Sequence, residues 1–288
     1  MKLVDVHCHL NDSRFDEDLN EVLGRFKEKG GEVIVTSGVN PATNRVSLEL
    51  AKKYDCVKAA FGVYPTDALA AEVESGESNE LLRELEEFDV DVELAWIEAH
   101  ADDCVAIGEI GLDYNFKEFQ TEEMREKQKI VFRKCLRLAK KLDKVVVIHS
   151  RKAEADAIEI LESEGFATPK GVPPAQMASD ESDKVGKVVM HCFSGKKALI
   201  RRCVENGWSL SVPAVIARLD HFKMLVDMVP LDLLLTETDG AYLAPVAGTR
   251  NEPVNVLVTL EEIARIKGIG VDEVAEKVWE NAERLFDF

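Results

Sequence analysis

Short apolar runs rich in β-branched residues alternate with longer amphipathic stretches along the whole chain. The short runs have the length of buried strands, and the longer stretches have the length and polarity of surface helices. The predicted strands are Leu3–Val6, Val33–Ser37, Val57–Val63, Val105–Ile110, Val145–Ile148, Val188–Met190, Trp208–Val212 and Leu233–Thr236. The predicted helices include Asp16–Lys29, Pro41–Lys53, Glu122–Leu142, Lys152–Glu164, Arg218–Met228 and Val271–Leu285.

This alternation predicts βαβ units, because a parallel neighbouring strand is reached only through a crossover connection. Eight strands in 288 residues fit a (β/α)8 TIM barrel. A doubly wound open sheet is the competing architecture, but no G-x-G-x-x-G turn follows the first strand. Because no repeat or linker interrupts the pattern, we expect a single domain over residues 1–288.

Two segments are longer than a barrel requires. Residues 66–104 follow the third strand and form a predicted βα insertion on the face where barrels carry active sites. Residues 166–187 form a proline-rich αβ loop, which belongs to the opposite face. We therefore expect the first segment, and not the second, to lie within reach of a substrate.

Composition places the chain among globular proteins, since 46% of its residues are hydrophobic and 31% are charged. No apolar run reaches the ~18 residues of a membrane span, and the N-terminus lacks the pattern of a signal peptide. The six scattered cysteines include no C-x-x-C pair. We therefore expect a cytoplasmic protein with reduced thiols, no membrane partner and no disulfide-linked partner.

The net charge of −18 argues at first against a polyanionic partner. The charge is uneven, however, because residues 72–103 contain thirteen acids and one base, Arg83. This segment accounts for −12 of the total, so the net charge says little about the field at the active site.

The first predicted strand ends in Asp5-Val6-His7-Cys8-His9. Since side chains alternate along a strand, His7 and His9 point to the same side. Two converging imidazoles can bind Zn²⁺, or Mn²⁺ or Mg²⁺ with the help of carboxylates. The H-x-H spacing alone is equally consistent with a hydrogen-bonded pair in the core.

Four further candidate ligands lie at the ends of other predicted strands. They are Glu109, His149, His191 and Asp239. Four of the six histidines in the chain thus occupy strand ends, and a core-packing explanation requires that placement to be accidental.

Six mixed nitrogen and oxygen ligands exceed the three that a tetrahedral catalytic ion normally takes from protein. They suit two divalent ions about 3.5–4 Å apart. The predicted ligands are His7, His9 and Asp239 for one ion, His149 and His191 for the other, and Glu109 as the bridge. A water activated between the ions is the expected nucleophile, and Asp239 is the expected general base.

The ordered motifs D-V-H-C-H-L, A-I-G-E-I-G-L-D-Y, I-H-S-R, H-C-F-S-G and T-E-T-D extend over nearly the whole chain. Tyr-Leu-Ala-Pro and Arg250-Asn251-Glu252-Pro253 follow them. This series resembles the TatD family of metal-dependent hydrolases and deoxyribonucleases, in the amidohydrolase-like superfamily. Glu109 counts against relatives that bridge their metals with a carbamylated lysine.

The resemblance implies phosphodiester hydrolysis, and especially 3′–5′ exonucleolytic cleavage of DNA, with two Mg²⁺, Mn²⁺ or Zn²⁺ ions. Two cations suit this chemistry because they stabilise the attacking and leaving oxygens of an in-line displacement. Candidate substrate contacts are Tyr64, Tyr114, Arg151 and Arg250. The alternative to substrate binding is an ion pair with a nearby acid for Arg151 and simple packing for Tyr114. Glu237 is a candidate partner for a ligand histidine.

Three departures from the family pattern concern substrate binding, and none concerns a metal ligand. The usual G-x-H-P after the third strand reads Gly62-Val63-Tyr64-Pro65, and tyrosine carries no positive charge at neutral pH. Gly240-Ala241 stands where a proline usually follows T-D-x, and the loop before R-N-E-P is shortened to residues 246–249.

Two alternatives to a DNA nuclease remain open. One is a hydrolase of a small ester, amide or phosphoester, since the same chemistry can act on an acyl carbon. The other is a binding protein that has lost catalysis, although the presence of all six ligand positions argues against it. The sequence does not predict an oligomeric state.

Overall fold

Eight parallel strands form one sheet in the order of the chain. The computed structural model describes residues 1–72, 85–168 and 187–288, so residues 73–84 of the acidic insertion and residues 169–186 of the proline-rich loop lie outside it. The strands are β1 (Leu3–Cys8), β2 (Gly31–Ser37), β3 (Val57–Val63), β4 (Ala106–Gly111), β5 (Val145–His149), β6 (Val188–Met190), β7 (Ser209–Pro213) and β8 (Leu234–Glu237). This arrangement confirms the predicted (β/α)8 barrel.

Helices surround the sheet and bury its outer face. They are α1 (Leu19–Glu28), α2 (Pro41–Lys53), α3 (Val90–Ala99), α4 (Glu122–Leu142), α5 (Glu154–Ser163), α6 (Lys197–Glu205), α7 (Asp220–Met228), α8 (Val256–Lys267) and α9 (Val271–Phe286). Apolar side chains from strands and helices form one large buried cluster. Among the described residues, no helix is long and apolar enough to span a membrane.

Side chains help to hold β1 against β8, where the barrel closes. The carboxylate of Asp5 is fully buried and accepts hydrogen bonds from the backbone N–H groups of Thr238, at 2.9 Å, and His7, at 3.2 Å. The Thr238 hydroxyl donates to the same carboxylate. Burial raises the pKa of the Asp5 carboxyl well above its usual value. These bonds fix the strand ends that carry His7 and Asp239.

The described part of the acidic segment includes α3, which packs on the outside of the barrel beside α4. Asp91 forms an ion pair with Lys134 at 2.6 Å, and Glu98 forms one with Lys141 at 2.5 Å. The lysines of α4 therefore pair with some of the carboxylates of the acidic segment. The segment's charge is partly neutralised away from the barrel mouth.

Helix α2 begins with a capping box that gives a test of local stability. The Asn40 side chain accepts a hydrogen bond from the Thr43 N–H at 3.0 Å, and the Thr43 hydroxyl oxygen accepts one from the Asn40 N–H at 3.1 Å. Because loss of an N-cap typically costs about 0.5–2 kcal/mol, Asn40→Ala should lower the free energy of unfolding by that amount. Thermal or urea unfolding measures it. Exposed Glu49 lies on the same helix, and an equal loss in Glu49→Ala would contradict the role of the cap.

Candidate metal centre

The C-terminal ends of five strands bring the six predicted ligands together at one end of the barrel. Their ligand atoms form three groups, each with all atoms within 4.8 Å of one another. The groups are His7, His9 and Glu109; Glu109, His149 and His191; and His7, His191 and Asp239. Glu109 belongs to two of these groups, as a bridging carboxylate would.

The two oxygens of Glu109 face different pairs of histidines. Oε2 lies 3.7 Å from His7 Nε2 and 3.6 Å from His9 Nε2. Oε1 lies 2.7 Å from His149 Nδ1 and 3.9 Å from His191 Nε2. The carboxylate therefore stands between two half-sites, each containing two imidazoles.

An irregularity in β4 places Glu109. The strand advances from Ile107 to Ile110 while its neighbours on both sides advance by only two residues. Such a bulge redirects a side chain and is common beside active sites. Gly62 of β3 faces this bulge, and a Cβ atom there would lie 2.3 Å from the Glu109 backbone nitrogen. The close approach of the two backbones thus requires glycine at this position.

Hydrogen bonds orient two of the histidines toward the centre. His9 Nδ1–H donates to the Ser37 carbonyl at 3.0 Å, because a carbonyl can only accept. His191 Nδ1 donates to the Glu237 carboxylate at 2.7 Å, and this buried carboxylate also accepts the Cys192 N–H at 2.9 Å. In both rings, Nε2 is the atom left for the centre. Glu237 thus contacts a predicted ligand histidine.

His7 provides the observation that tests whether a metal ion fits here. Its Nε2 atom is buried and has no hydrogen-bond partner among the residues that the structure describes. The same atom lies 3.7 Å from both Glu109 Oε2 and Asp239 Oδ1. An unpartnered buried nitrogen is costly, whereas a cation among nitrogen and carboxylate donors would satisfy it. The residues present therefore fit a divalent metal ion.

The electrostatics of the centre also suit a cation. Burial, with repulsion from His191, lowers the pKa of His7 well below its usual value, so its imidazole is neutral. Burial by itself raises the pKa of Glu109, but the hydrogen bond and charge of His149 outweigh it and hold that pKa well below its usual value. For His191, the Glu237 carboxylate outweighs burial and raises the pKa to about 10. A bound cation would favour the neutral imidazole instead.

A cavity of about 530 Å³ opens onto the centre. Polar side chains in its lining include Tyr64, Ser150 and Arg151, and apolar ones include Leu219, Phe222 and Leu243. The described residues of the 66–104 segment are absent from this lining. The acidic segment therefore does not contribute a described side chain to the cavity.

Tyr64 and Arg151, two predicted substrate contacts, line the cavity and bind the same buried carboxylate, Asp113. Asp113 Oδ2 accepts from the Tyr64 hydroxyl at 2.9 Å and from Arg151 Nη2 at 2.6 Å. Burial alone would raise the pKa of Asp113, but His149 and Arg151 outweigh it and lower it to about 2. The strand-end pattern does not single out Asp113, although it stands in the G-L-D-Y motif only four residues after Glu109.

The structure places the other two predicted substrate contacts outside this cavity lining. Tyr114 is only 5% exposed, and its hydroxyl donates to Asp156 at 3.0 Å. Arg250 forms two hydrogen bonds with Asp18, at 2.7 and 2.6 Å, and one with Glu252 at 2.8 Å. Both side chains are thus engaged by neighbouring carboxylates.

Known proteins resemble this chain over almost its full length. The family model described as "TatD related DNase" matches residues 4–287. The chain is 33% identical to human "Deoxyribonuclease TATDN3" over 285 residues, covering 99% of this chain and 94% of that protein. It is 35% identical to the "Uncharacterized metal-dependent hydrolase YabD" of Bacillus subtilis over 291 residues, covering 99% and 98%.

A solved structure shares the fold. The crystal structure of YjjV, a TatD homologue from Escherichia coli K12, matches with a TM-score of 0.79 at 24% identity, covering 99% of this chain and 98% of that one. Together with the family match, the sequence relatives confirm the predicted resemblance. The chain belongs to the TatD family of metal-dependent hydrolases.

Proposed function

We propose that this protein is a deoxyribonuclease of the 3′–5′ exonuclease type that works with two divalent metal ions. The observation that carries the proposal is the position of Glu109, with one oxygen toward each pair of histidines. A single-ion site has no need of a carboxylate shared in this way. DNA as substrate is supported by the family description and by the name of the human relative.

Each half-site has its own donors. One ion would be held by His7, His9 and Asp239, since Asp239 Oδ1 lies 3.7 Å from His7 Nε2 and 3.2 Å from His9 Nε2. The other would be held by His149 and His191, and Glu109 would contribute to both. When bound, divalent ions lower the pKa of water and stabilise the charge that develops at a phosphodiester. The neutral imidazole of His7 and the ionised carboxylate of Glu109 are the forms that such ions require.

Asp239 is the carboxylate we assign to proton transfer. Both Asp239 and Glu109 line the cavity, but the Asp239 side chain is 15% exposed, whereas that of Glu109 is 4% exposed and lies between the histidines. The Asp239 backbone N–H donates to the His7 carbonyl at 2.9 Å, which anchors the residue beside β1. A carboxylate held at the cavity surface can accept a proton from an attacking water.

The cavity's size and lining bear on the substrate. At about 530 Å³ it lies within the range of small-ligand pockets, which suits a terminal nucleotide better than an internal stretch of duplex. The apolar side chains of Leu219, Phe222 and Leu243 offer a surface for a base. The guanidinium of Arg151 also lines the cavity and can face a phosphate.

A hydrolase of small esters, amides or phosphoesters is the second candidate. One observation favours it: Asp113 binds both Arg151 and Tyr64, so the cavity offers less free positive charge than a polyanion would use. Both candidates require the same metal centre, and they differ in the substrate that reaches it.

Substrate choice can be tested with the protein loaded equally with Mg²⁺, Mn²⁺ or Zn²⁺. We expect stepwise release of mononucleotides from the 3′ end of labelled single-stranded DNA, and loss of this activity after chelation. A strand with a blocked 3′ terminus should resist. A metal-loaded protein that leaves DNA intact but cleaves a member of a small ester, amide and phosphoester panel would establish the second candidate instead.

A further inference from the structure

One buried carboxylate connects the candidate metal centre to the polar lining of the cavity. Oδ2 of Asp113 lies 3.0 Å from His149 Nε2, and it accepts from Arg151 Nε at 3.0 Å and from Arg151 Nη2 at 2.6 Å. The Tyr64 hydroxyl donates to the same oxygen at 2.9 Å. Three side chains, one just after β3 and two at the end of β5, therefore share a single acceptor atom.

Asp113 is itself held rigidly. Its backbone N–H donates to Gln128 Oε1 at 2.8 Å, and Gln128 Nε2 donates back to the Asp113 carbonyl at 2.9 Å. Its other carboxylate oxygen accepts the Asn115 N–H at 2.8 Å. Because hydrogen bonds hold both its backbone and its second carboxylate oxygen, Asp113 can orient the side chains that bind Oδ2.

For His149, this contact selects the nitrogen that serves the centre. A carboxylate at Nε2 keeps a proton on that atom. Nδ1, which lies 2.7 Å from Glu109 Oε1, is then the nitrogen whose lone pair can reach a cation. Without Asp113, the Tyr64 hydroxyl, 3.1 Å from Nε2, would remain beside the ring, and a hydroxyl that can either donate or accept does not select this tautomer.

For Arg151, the same carboxylate fixes the guanidinium in the cavity lining. Two of its nitrogens bind Asp113 Oδ2, and its Cζ atom lies over the Phe116 ring, 4.7 Å from the ring centroid. The side chain remains 35% exposed, so part of the guanidinium stays accessible. A fixed guanidinium binds a phosphate or carboxylate at a lower entropic cost than a free one.

We propose that Asp113 is a positioning residue with two targets, orienting His149 toward one metal ion and Arg151 toward the substrate. The inference rests on the proposed two-ion function. It extends that function by coupling ion binding in one half-site to substrate binding through one side chain. Tyr64, at the position where the family usually has histidine, completes the same cluster.

The test compares Asp113→Asn with a control, Asp156→Asn, which makes the same change at a carboxylate that is 37% exposed. Asp156 accepts the Tyr114 hydroxyl at 3.0 Å and is absent from the cavity lining of the described residues. Titration of metal-free protein with Zn²⁺ or Mn²⁺ should show two equivalents bound in the wild type and in the control. In Asp113→Asn, one equivalent should bind about 10- to 100-fold more weakly, and the other should be unchanged.

Arg151→Met separates the two targets. It should leave both metal affinities unchanged and raise KM, with a smaller effect on kcat, because it removes a substrate contact and no ligand. Asp113→Asn should raise KM in addition to weakening one ion. Folded Asp113→Asn protein with two wild-type metal affinities and an unchanged KM would overturn the proposal.

A measurement on the wild type keeps the proposal testable if Asp113→Asn does not fold. Nitrogen NMR of ¹⁵N-histidine-labelled, metal-loaded protein should show His149 protonated at Nε2, and protonation at Nδ1 would overturn the role of Asp113. Wild-type protein that binds only one ion would contradict the two-ion function. The His149 tautomer would then still decide the role of Asp113 by itself.

Discussion

Glu109→Ala is expected to lower kcat/KM by about a thousandfold or more, because metal-ion stabilisation of the transition state is worth several kcal/mol. The change removes both oxygens that lie between the two histidine pairs. It should also reduce the bound metal from the two ions per chain that we propose to one or none. Steady-state kinetics and elemental analysis of the purified variant measure the two effects separately.

Glu93→Gln provides the control for loss of a buried glutamate. Glu93 is 2% exposed and pairs with Arg45 and Asn44, outside the cavity lining. This variant should lose some stability and keep its metal. If Glu109→Ala retained two ions and activity within tenfold of wild type, Glu109 could not be the bridge.

The fold was predictable because a parallel barrel leaves a strong signal in the sequence. Its strands are buried on both faces and therefore appear as continuous apolar runs, such as Val145–Ile148. Observed strand ends differ from the predicted ones by no more than two residues. Helix α3 was harder to predict because Val90–Ala99 lies in an acidic segment and has only a weak apolar stripe. Asp89, whose side chain caps the helix by accepting from Asp91 and Val92, was the available signal.

The clustering of the predicted metal ligands followed from position along the strands. The ends of parallel strands converge in a barrel, so histidines and acids at those ends must lie close together. The bulge that places Glu109 could not be predicted from the sequence. The regular alternation of side chains along a strand assigns each residue of β4 to one face of the sheet and does not require a bulge.

Substrate contacts were less predictable because they depend on pairings between residues that the fold brings together. Arg151 binds Asp113, 38 residues away, and Arg250 binds Asp18, 232 residues away. The sequence left both a phosphate contact and an ion pair with a nearby acid open for Arg151, and it predicted a substrate contact for Arg250. Only the structure shows that a carboxylate already occupies part of each guanidinium.

Asp239→Asn is expected to lower kcat by about 10²–10⁴-fold, the usual contribution of a general base. Asparagine keeps the size of the side chain and one carbonyl oxygen, but it cannot accept a proton. KM should change little, and a metal ion should still bind, although more weakly. Asp12→Asn is the control, since Asp12 forms an ion pair with Arg14 at 2.7 Å and is not among the residues lining the described cavity.

Metal content decides how an inactive Asp239→Asn protein is interpreted. Full occupancy with a low kcat would show that the residue transfers a proton, whereas loss of an ion would show that it acts chiefly as a ligand. The Glu109→Ala variant should lose metal and activity together, whereas the Asp239→Asn variant should lose activity while it still binds metal. Asp239 Oδ1 lies 3.2 Å from His9 Nε2, close enough for either role. If kcat stayed within tenfold of wild type at full occupancy, proton transfer would have to be assigned to another group.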